Sequence, residues 1–473
     1  MKKLLFVFLL AFCSLFAFVA CNLKPESEYG NGNEAEQQGA QSVIGSVYSD
    51  SSVVKSVGAG SQNASRKDNS SVGVKNSQSA KSVSVAKSSS EKFSESASKS
   101  SENNLSKDSA DSSYDGQTVV NVEFFAVADC TYKGTDGAVV NGVKTYSTVG
   151  KAIKYAETAS SGIVKRIKIK PGIYKEKIST SATNLRLIGE ARSETKITYG
   201  DCSSTAGSTE ASATFTVTGV GFSAKNIHFE NSFDYLNSSA SAKQAVAILV
   251  DADKASFVDC KFSGHQDTLE AVHGRQYYKN CSIYGSVDFI FGNNSTCLFE
   301  NCNVISRNRN DSKGGYIAVT KGNDGTNGKL VPDFGFVFMG CKFSAESGVK
   351  NGSVALARPW RANATVSFIN CEMGAHISKT AYSGSSSKQR YVHMKGGTDS
   401  NGNKIKNEPQ NANFTEYGNT GAGAITSAVK GCTMLTKTEA EKYTLSNIFA
   451  KTNGMVNYNS EWNTAKEIED LNF

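Results

Sequence analysis

The sequence predicts an all-β fold, a parallel β-solenoid, over about residues 117–473, and three observations support this prediction. First, five segments repeat an aromatic residue, any residue, a polar or Gly position, Cys, any residue and an apolar residue. Second, the cysteines of these segments are spaced by 21, 21, 39 and 30 residues, as expected for stacked coils in which insertions form loops. Third, short β-rich runs separated by Gly and polar turns precede the repeat.

The N-terminus predicts an export signal over residues 1–20. Lys2 and Lys3 precede an apolar run from Leu4 to Ala20, which is the pattern of a secretory signal peptide. The junction before Cys21 resembles a bacterial lipoprotein cleavage site, which implies that Cys21 is lipidated. We therefore expect a membrane-anchored lipoprotein at the bacterial cell surface or envelope. Ordinary cleavage, which would give a secreted protein, and an uncleaved anchor are the alternatives.

Residues 22–116 are predicted to be a disordered, Ser-rich linker. Twelve of the 26 residues from 88 to 113 are Ser, and large apolar residues are few. Such a segment cannot bury enough apolar surface to offset the entropy of ordering it. Its role is predicted to be that of a tether, and a dispensable low-complexity insertion is the alternative.

Charge and cysteine content exclude several classes of function. The net charge is +7, and no Lys/Arg block alternates with aromatic residues, so we expect no nucleic-acid partner. A mildly basic surface is compatible with an acidic polysaccharide. The chain has 11 cysteines and no CxxC pair, which argues against zinc. The repeat cysteines are therefore predicted to be small buried hydrophobic residues rather than metal ligands or disulfides.

The predicted elements begin with one helix. Residues 147–159 place Val149, Ala152, Ile153 and Ala156 on one side, which favours an amphipathic helix. The predicted strands that follow are Arg166–Ile169, Asn184–Ile188 and Thr214–Val217. The repeat segments are Phe257–Phe262, Tyr278–Ile283, Phe299–Val304, Phe338–Phe343 and Phe368–Met373.

Two aspartates of this repeat are candidates for catalysis. Asp267 and Asp288 are 21 residues apart, and each lies seven residues after a repeat cysteine. Equal coil lengths would place them side by side, about one ~4.8 Å strand spacing apart. Adjacent carboxyl groups cannot both ionise cheaply, so one can serve as an acid and the other as a nucleophile. A structural Asp ladder is the alternative.

Further polar residues accompany the pair. Arg358 is the obvious counter-ion for one Asp, and Gln244 and Gln266 offer amide donors to a developing oxyanion. Taken alone, Arg358 and Trp360 could form a surface turn, and Phe291 could belong to the core. The occurrence of all these motifs in order makes a purely structural explanation the weaker one.

Together these motifs resemble those of the pectin methylesterases (pectinesterases), here as a bacterial lipoprotein member. GHQDTL at Gly264–Leu269, IYGSVDFIFG at Ile283–Gly292 and LARPW at Leu356–Trp360 are similar to the three main signatures of the family. Ala357 replaces a Gly of the third signature. Weaker similarities extend the match over about residues 118–424. The resemblance implies a right-handed, single-stranded parallel β-helix and hydrolysis of methyl esters of pectin (methyl-esterified homogalacturonan) to pectate and methanol.

The resemblance also assigns roles. It implies that Asp288 is the nucleophile, that Asp267 is the general acid and then base, and that Gln244 and Gln266 stabilise the oxyanion. The implied substrate-binding residues are Arg358, which also holds Asp288, Trp360, Phe291 and, by a looser match, Thr209. No metal or organic cofactor is implied, and we expect a monomer.

Two departures from the family pattern affect the sugar-binding groove. Glu270 stands where family members commonly have Tyr, which predicts a charge near the sugar and repulsion of free galacturonate. A Gly-Trp stretch of the family is missing after Ser378. The alternative functions are a thioesterase-like enzyme on the same scaffold, a pectate lyase, which would want a calcium-binding acidic cluster, and a surface adhesin or carbohydrate-binding solenoid.

Overall fold

The structure, a computed structural model, describes residues 123–469 except 193, 294, 312, 323–332, 386–387, 399–403 and 454–455. The predicted signal peptide, Cys21 and the linker 22–116 lie outside the described residues. Three sheets, called A, B and C below, contain most of the described strands.

The strands of each sheet are given in stacking order. Sheet A contains Ala138–Val140, Val143–Tyr146, Ala126–Ala128, Lys165–Ile169, Leu185–Gly189, Ser223–Lys225, Ala255–Val258, Arg275–Lys279, Thr296–Glu300, Phe336–Met339, Thr365–Ile369, Asn413–Tyr417 and Thr433–Met434. Sheet B contains Gly172–Lys175, Thr195–Tyr199, His228–Asn231, Lys261–Ser263, Ser282–Gly285, Asn303–Ser306, Lys342–Ala345 and Glu372–Met373. Sheet C contains Ile178–Thr180, Phe215–Val217, Ile248–Asp251, Leu269–His273, Ile290–Gly292, Tyr316–Lys321 and Ala355–Arg361. Two antiparallel hairpins pair Met394–Thr398 with Lys404–Asn407 and Thr452–Asn453 with Val456–Asn457.

The chain winds through sheets A, B and C in turn, so each circuit forms one coil. Each strand pairs in parallel with the equivalent strand of the next coil, as Ser256 with Tyr277 in sheet A and Phe262 with Ile283 in sheet B. The hairpin strand Ala138–Val140 is an antiparallel exception at one end of sheet A. The predicted parallel β-helix is confirmed, with the predicted strands displaced by no more than a residue at either end.

The corner between sheets A and B explains the polar residue that precedes each repeat cysteine. The backbone there adopts positive φ, for example 53° at Asp259, 54° at Asn280 and 62° at Gly340. Asn, Asp and Gly tolerate this left-handed conformation better than other residues do. The short polar residue therefore permits the bend between two strands, as predicted.

The cysteines after these corners line the core. Cys260, Cys281, Cys302, Cys341 and Cys371 are buried and in no disulfide. Each thiol lies over a carbonyl of the preceding coil, as Cys302 Sγ does over Tyr278 O at 3.3 Å. Phe257, Tyr278, Phe299, Phe338 and Phe368 stack face to face beside them, with successive ring centroids 4.6 to 5.1 Å apart. The prediction that these cysteines act as small hydrophobic residues is confirmed.

The main predicted helix is present but shorter than predicted. It spans Val149–Ala156. It starts at Val149 because the Thr148 side chain accepts a hydrogen bond from Lys151 N and caps the helix. Its four predicted inward residues are all buried. The other helices are Ser203–Ala206, Glu210–Ser212, Pro409–Asn411, Lys437–Ala440, Leu445–Ile448 and Thr464–Glu469. None of the described helices is long and apolar enough to cross a membrane.

Candidate active site

Asp267 and Asp288 lie on adjacent coils at the corner between sheets B and C. Gln266 forms a parallel bridge with Val287, and Leu269 pairs with Ile290, so the two aspartates occupy the same position of successive coils. Asp267 N also donates to Val287 O at 3.0 Å. Both carboxyl groups are buried, with 0% and 1% of the residue exposed. The structure thus brings the predicted pair together.

Both aspartates hold an uncommon backbone conformation. The φ angle is 62° at Asp267 and 48° at Asp288. Asp tolerates this left-handed backbone, and the same conformation recurs at the corners between sheets A and B, as at Asp259. It therefore marks the turn between sheets B and C, which places the two acids at equivalent positions of successive coils.

Arg358 pairs with Asp288 in a bidentate arrangement. Its Nε donates to Asp288 Oδ1 at 2.8 Å, and its Nη2 donates to Asp288 Oδ2. Burial opposes the charged guanidinium, but the adjacent Asp288 carboxylate more than offsets this, so the pKa of Arg358 lies above its ordinary value. Two charge-assisted hydrogen bonds fix the orientation of the Asp288 carboxylate, as a nucleophile requires.

A residue that the sequence prediction missed supports this arginine. The Tyr316 ring lies under the guanidinium, with the Arg358 Cζ atom 4.1 Å from the ring centroid. Tyr316 begins the sheet C strand that separates the strand of Phe291 from that of Arg358. The sequence shows Tyr316 as an aromatic residue, but the unequal loop lengths between coils prevent prediction of its register with Arg358.

The face of sheet C that points away from the core lies beside the aspartates. Leu249, Glu270, Phe291, Val319 and Arg358 pair successively across five strands, and so they point to one side of the sheet. Their inward neighbours, such as Leu269 and Ile290, lie in the core. We call this row of five residues the groove row.

Trp360 completes an apolar surface along the groove row. Its ring centroid lies 6.4 Å from that of Phe291, and both residues belong to one apolar cluster with Leu249 and Val319. Lys321 Nζ lies 5.4 Å from the Trp360 ring centroid. Aromatic faces next to cations suit a sugar polymer that carries carboxyl groups.

The two predicted glutamines come from neighbouring coils near the aspartates. Ala245 N donates to Gln266 O at 3.1 Å, which places Gln244 and Gln266 on adjacent coils. Gln244 is buried, and its Oε1 accepts no hydrogen bond from the described residues. Gln266 is partly exposed. The structure thus places Gln266 on the coil of Asp267 and Gln244 on the coil before it.

Thr209 and Glu270 border the groove at the end distant from Arg358. Thr209 immediately precedes the short helix Glu210–Ser212, and Ala213 after it belongs to the same apolar cluster as Leu249 and Phe291. Glu270 is only 4% exposed. Burial, together with Glu210 and Asp251, raises its pKa to about 8. The expected charge of Glu270 is therefore mostly absent at neutral pH, because the carboxyl group is protonated there.

A second missed feature lies on the other side of the aspartates. His265 stacks on Tyr235, with ring centroids 4.9 Å apart and planes 7° apart. Burial and the neighbouring Arg307 and Arg309 lower the pKa of His265 to about 4, so the imidazole is neutral at pH 7. The imidazole therefore packs against Tyr235, and we assign it no role as a catalytic base.

The arrangement has the groups needed for acyl transfer to a carboxylate. It combines an Asp held by Arg358, a second buried Asp on the adjacent coil, and side-chain amides on the coil of Asp267 and the coil before it. The described part of the chain contains no cluster of three or more His, Cys, Asp or Glu residues placed to hold a metal ion.

Comparison with known proteins supports this interpretation at the level of sequence. The family model described as Pectinesterase matches residues 138–453. Pectinesterase A of Dickeya dadantii is 34% identical over 346 residues, which cover 68% of this chain and 92% of the relative. Probable pectinesterase A of Aspergillus niger is 35% identical over 254 residues, which cover 52% of this chain and 70% of that relative.

Solved structures show the same similarity. Pectin methylesterase PemA from Erwinia chrysanthemi aligns with a TM-score of 0.59 and 29% identity, over 71% of this chain and 99% of that chain. A pectin methylesterase mutant in complex with a hexasaccharide aligns with a TM-score of 0.59 and 28% identity, over the same fractions.

Proposed function

Since this chain belongs to the pectinesterase family of carboxylic ester hydrolases, we propose that it removes methyl esters from pectin through attack of Asp288 on the ester carbonyl. The observation that carries the proposal is the pair of buried aspartates in register on adjacent coils, one of them held by Arg358. Binding alone requires no such pair, which disfavours an adhesin.

The proposed reaction has two steps. In the first, an Asp288 oxygen bonds to the ester carbonyl carbon, the amides of Gln244 and Gln266 stabilise the oxyanion, and Asp267 protonates the departing methoxide. Methanol leaves, and the uronate is joined to Asp288 as an anhydride. In the second, Asp267 takes a proton from water, which attacks the uronate carbonyl and releases the Asp288 carboxylate and the free uronate.

Product analysis tests the proposed function. Incubation with highly methylated pectin should release methanol and titratable acid in equal amounts. A pectate lyase would instead form unsaturated sugars without methanol, and a thioesterase-like enzyme would release neither. Absence of methanol from a correctly folded wild-type protein would refute the proposal.

Removing one proposed oxyanion donor should reduce turnover strongly. Gln266→Ala should lower kcat by on the order of 10²–10³, the usual effect of losing one such donor. Steady-state methanol release would measure it. Gln410→Ala is a matched control, because Gln410 is exposed and bonds Glu408 outside the site. Equal rates for Gln266→Ala and the control would rule out a role of Gln266 in the transition state.

We further propose that the mature protein is a lipoprotein that begins at Cys21, with residues 22–116 as a tether between the membrane and the β-helix. The support is the apolar run that ends at Cys21 and the Ser-rich composition after it. A diacyl group provides firm retention, since each buried CH₂ contributes ~0.8 kcal/mol. We also propose a monomer, as Asp267, Asp288 and Arg358 all come from one chain; sedimentation velocity would test this.

Substitution of Cys21 should release the protein from membranes. Wild type should partition into the detergent phase, and Cys21→Ala should lose the lipid and its mature start. Cys13→Ala, inside the apolar run, is the matched control and should behave like the wild type. Recovery of wild type and Cys21→Ala in the same phase would contradict the anchor.

A further inference from the structure

We propose that Glu270 is a specificity residue that makes the preference for esterified over free uronate depend on pH, a role that rests on the proposed function. Glu270 occupies the groove row between Leu249 and Phe291, on the same side of sheet C as Arg358. It also follows Asp267 by three residues. A linear polysaccharide that lies across this face with one ester at Asp288 passes over Glu270.

Among the described residues, the charged groups that act on Glu270 include no cation. Glu270 is 4% exposed, and its Oε2 finds no hydrogen-bond partner among the described residues. Its neighbours in the row are apolar, and Ala213 and Val246 pack in the same cluster. A buried carboxyl oxygen without a hydrogen-bond partner among the described residues costs free energy, which a purely structural role does not explain.

The charged groups acting on Glu270 are both acidic. Glu210 lies on the short helix that borders the groove, and Asp251 lies on the adjacent strand, where His273 Nδ1 is 3.8 Å from its carboxylate. Burial is the larger influence, and together these raise the pKa of Glu270 to about 8. At pH 6 the group is a neutral O–H donor, and at pH 9 it is mostly an anion.

The opposite end of the groove has the opposite charge. Arg358 forms the last position of the groove row, about 14 Å from Glu270 at ~4.8 Å per strand. Lys321 lies beside Trp360 near the same end. Arg358 is paired with Asp288, which receives the ester, so Lys321 is a cation near this end that favours a free uronate, whereas the Glu270 end favours a neutral methyl ester.

Ionisation of Glu270 allows the site to distinguish a methyl ester from a free uronate. The neutral acid carries no charge, so it hardly distinguishes an ester from a carboxylate. The anion repels a uronate carboxylate but not an ester. Two like charges about 12 Å apart at an effective dielectric constant of ~20 change binding about tenfold.

The test compares kcat/KM per ester on high-methyl and low-methyl pectin from pH 6 to pH 9, after subtraction of enzyme-free methanol release. Titration of the catalytic aspartates affects both substrates and cancels in the ratio. For wild type the ratio of high-methyl to low-methyl kcat/KM should rise about tenfold as pH passes ~8, the pKa region of Glu270. For Glu270→Gln, which keeps the shape and a donor, it should stay flat.

Three variants complete the design. Glu210→Gln should move the rise to lower pH, because it removes one of the charges that oppose ionisation of Glu270. Glu372→Gln, an exposed acid of sheet B paired with Lys342, should leave the wild-type profile unchanged. Glu270→Leu, which matches the neighbouring Leu249, serves if Glu270→Gln does not fold.

The outcomes separate this inference from the proposed function. No methanol from wild type on any pectin defeats the proposed function itself. An active wild type whose ratio is independent of pH, or a ratio that still rises in folded Glu270→Gln or Glu270→Leu, overturns the role of Glu270 alone.

Discussion

Asp288→Asn should lower methanol release from pectin by at least on the order of 10³, because the amide has no anionic oxygen to attack the ester carbonyl. The fold should survive. Asn tolerates the φ of 48° at this position, and the hydrogen-bonding shape of the side chain is nearly kept. Arg358 loses its carboxylate partner, so the thermal midpoint should fall somewhat while the β-sheet circular dichroism spectrum stays unchanged.

Asp259→Asn is the matched control for this variant. Asp259 also has positive φ, at 53°, but lies at the corner between sheets A and B, where the next coils carry Asn280 and Asn301. The chemical change is identical, and the position already accepts Asn elsewhere in the fold. We expect wild-type methanol release from Asp259→Asn. Comparable rates for Asp288→Asn and this control would move the search for the nucleophile to another residue.

Asp267→Asn should produce the second largest loss, by on the order of 10²–10⁴, since methoxide is a poor leaving group without a proton donor. The same residue is proposed to activate water, so both steps should slow. A substrate with a more acidic leaving alcohol needs less protonation, so its acylation should be affected less than that of the methyl ester.

The substrate comparison distinguishes catalysis from a structural role. Methyl and activated uronate esters would be assayed with wild type and Asp267→Asn under single-turnover conditions, and release of the first alcohol would be followed. A merely structural Asp267 predicts the same fractional loss for both esters. Equal fractional losses would show that Asp267 is not the general acid.

The position of the aspartate pair was predictable because no insertion separates the two coils. Cys260 and Cys281 are separated by 21 residues, and so are Asp267 and Asp288. Residues at equal positions of stacked coils lie next to each other. The polar residue at each corner was predictable for a similar local reason, since positive φ restricts the residue type. Local conformation and an unbroken repeat are both visible in a single sequence.

The contacts between distant coils were not predictable from spacing. Tyr316 lies under Arg358, but their separation includes the loop that lengthens the interval between Cys302 and Cys341 to 39 residues. Loop lengths do not reveal register. The protonation state of Glu270 was not predictable either. The sequence shows an acidic residue, but not the burial and the two neighbouring carboxylates that raise its pKa.

The most direct test of the central claim, that Asp288 supplies the attacking carboxylate, is chemical rescue of Asp288→Gly by formate. Gly adopts φ of 48° without strain, and formate can occupy the vacated space beside Arg358. Asp288→Gly should release almost no methanol from methylated pectin, and added formate should restore release in a saturable manner, while Asp259→Gly stays active and indifferent to formate. Near-wild-type methanol release from folded Asp288→Gly without formate would contradict the account.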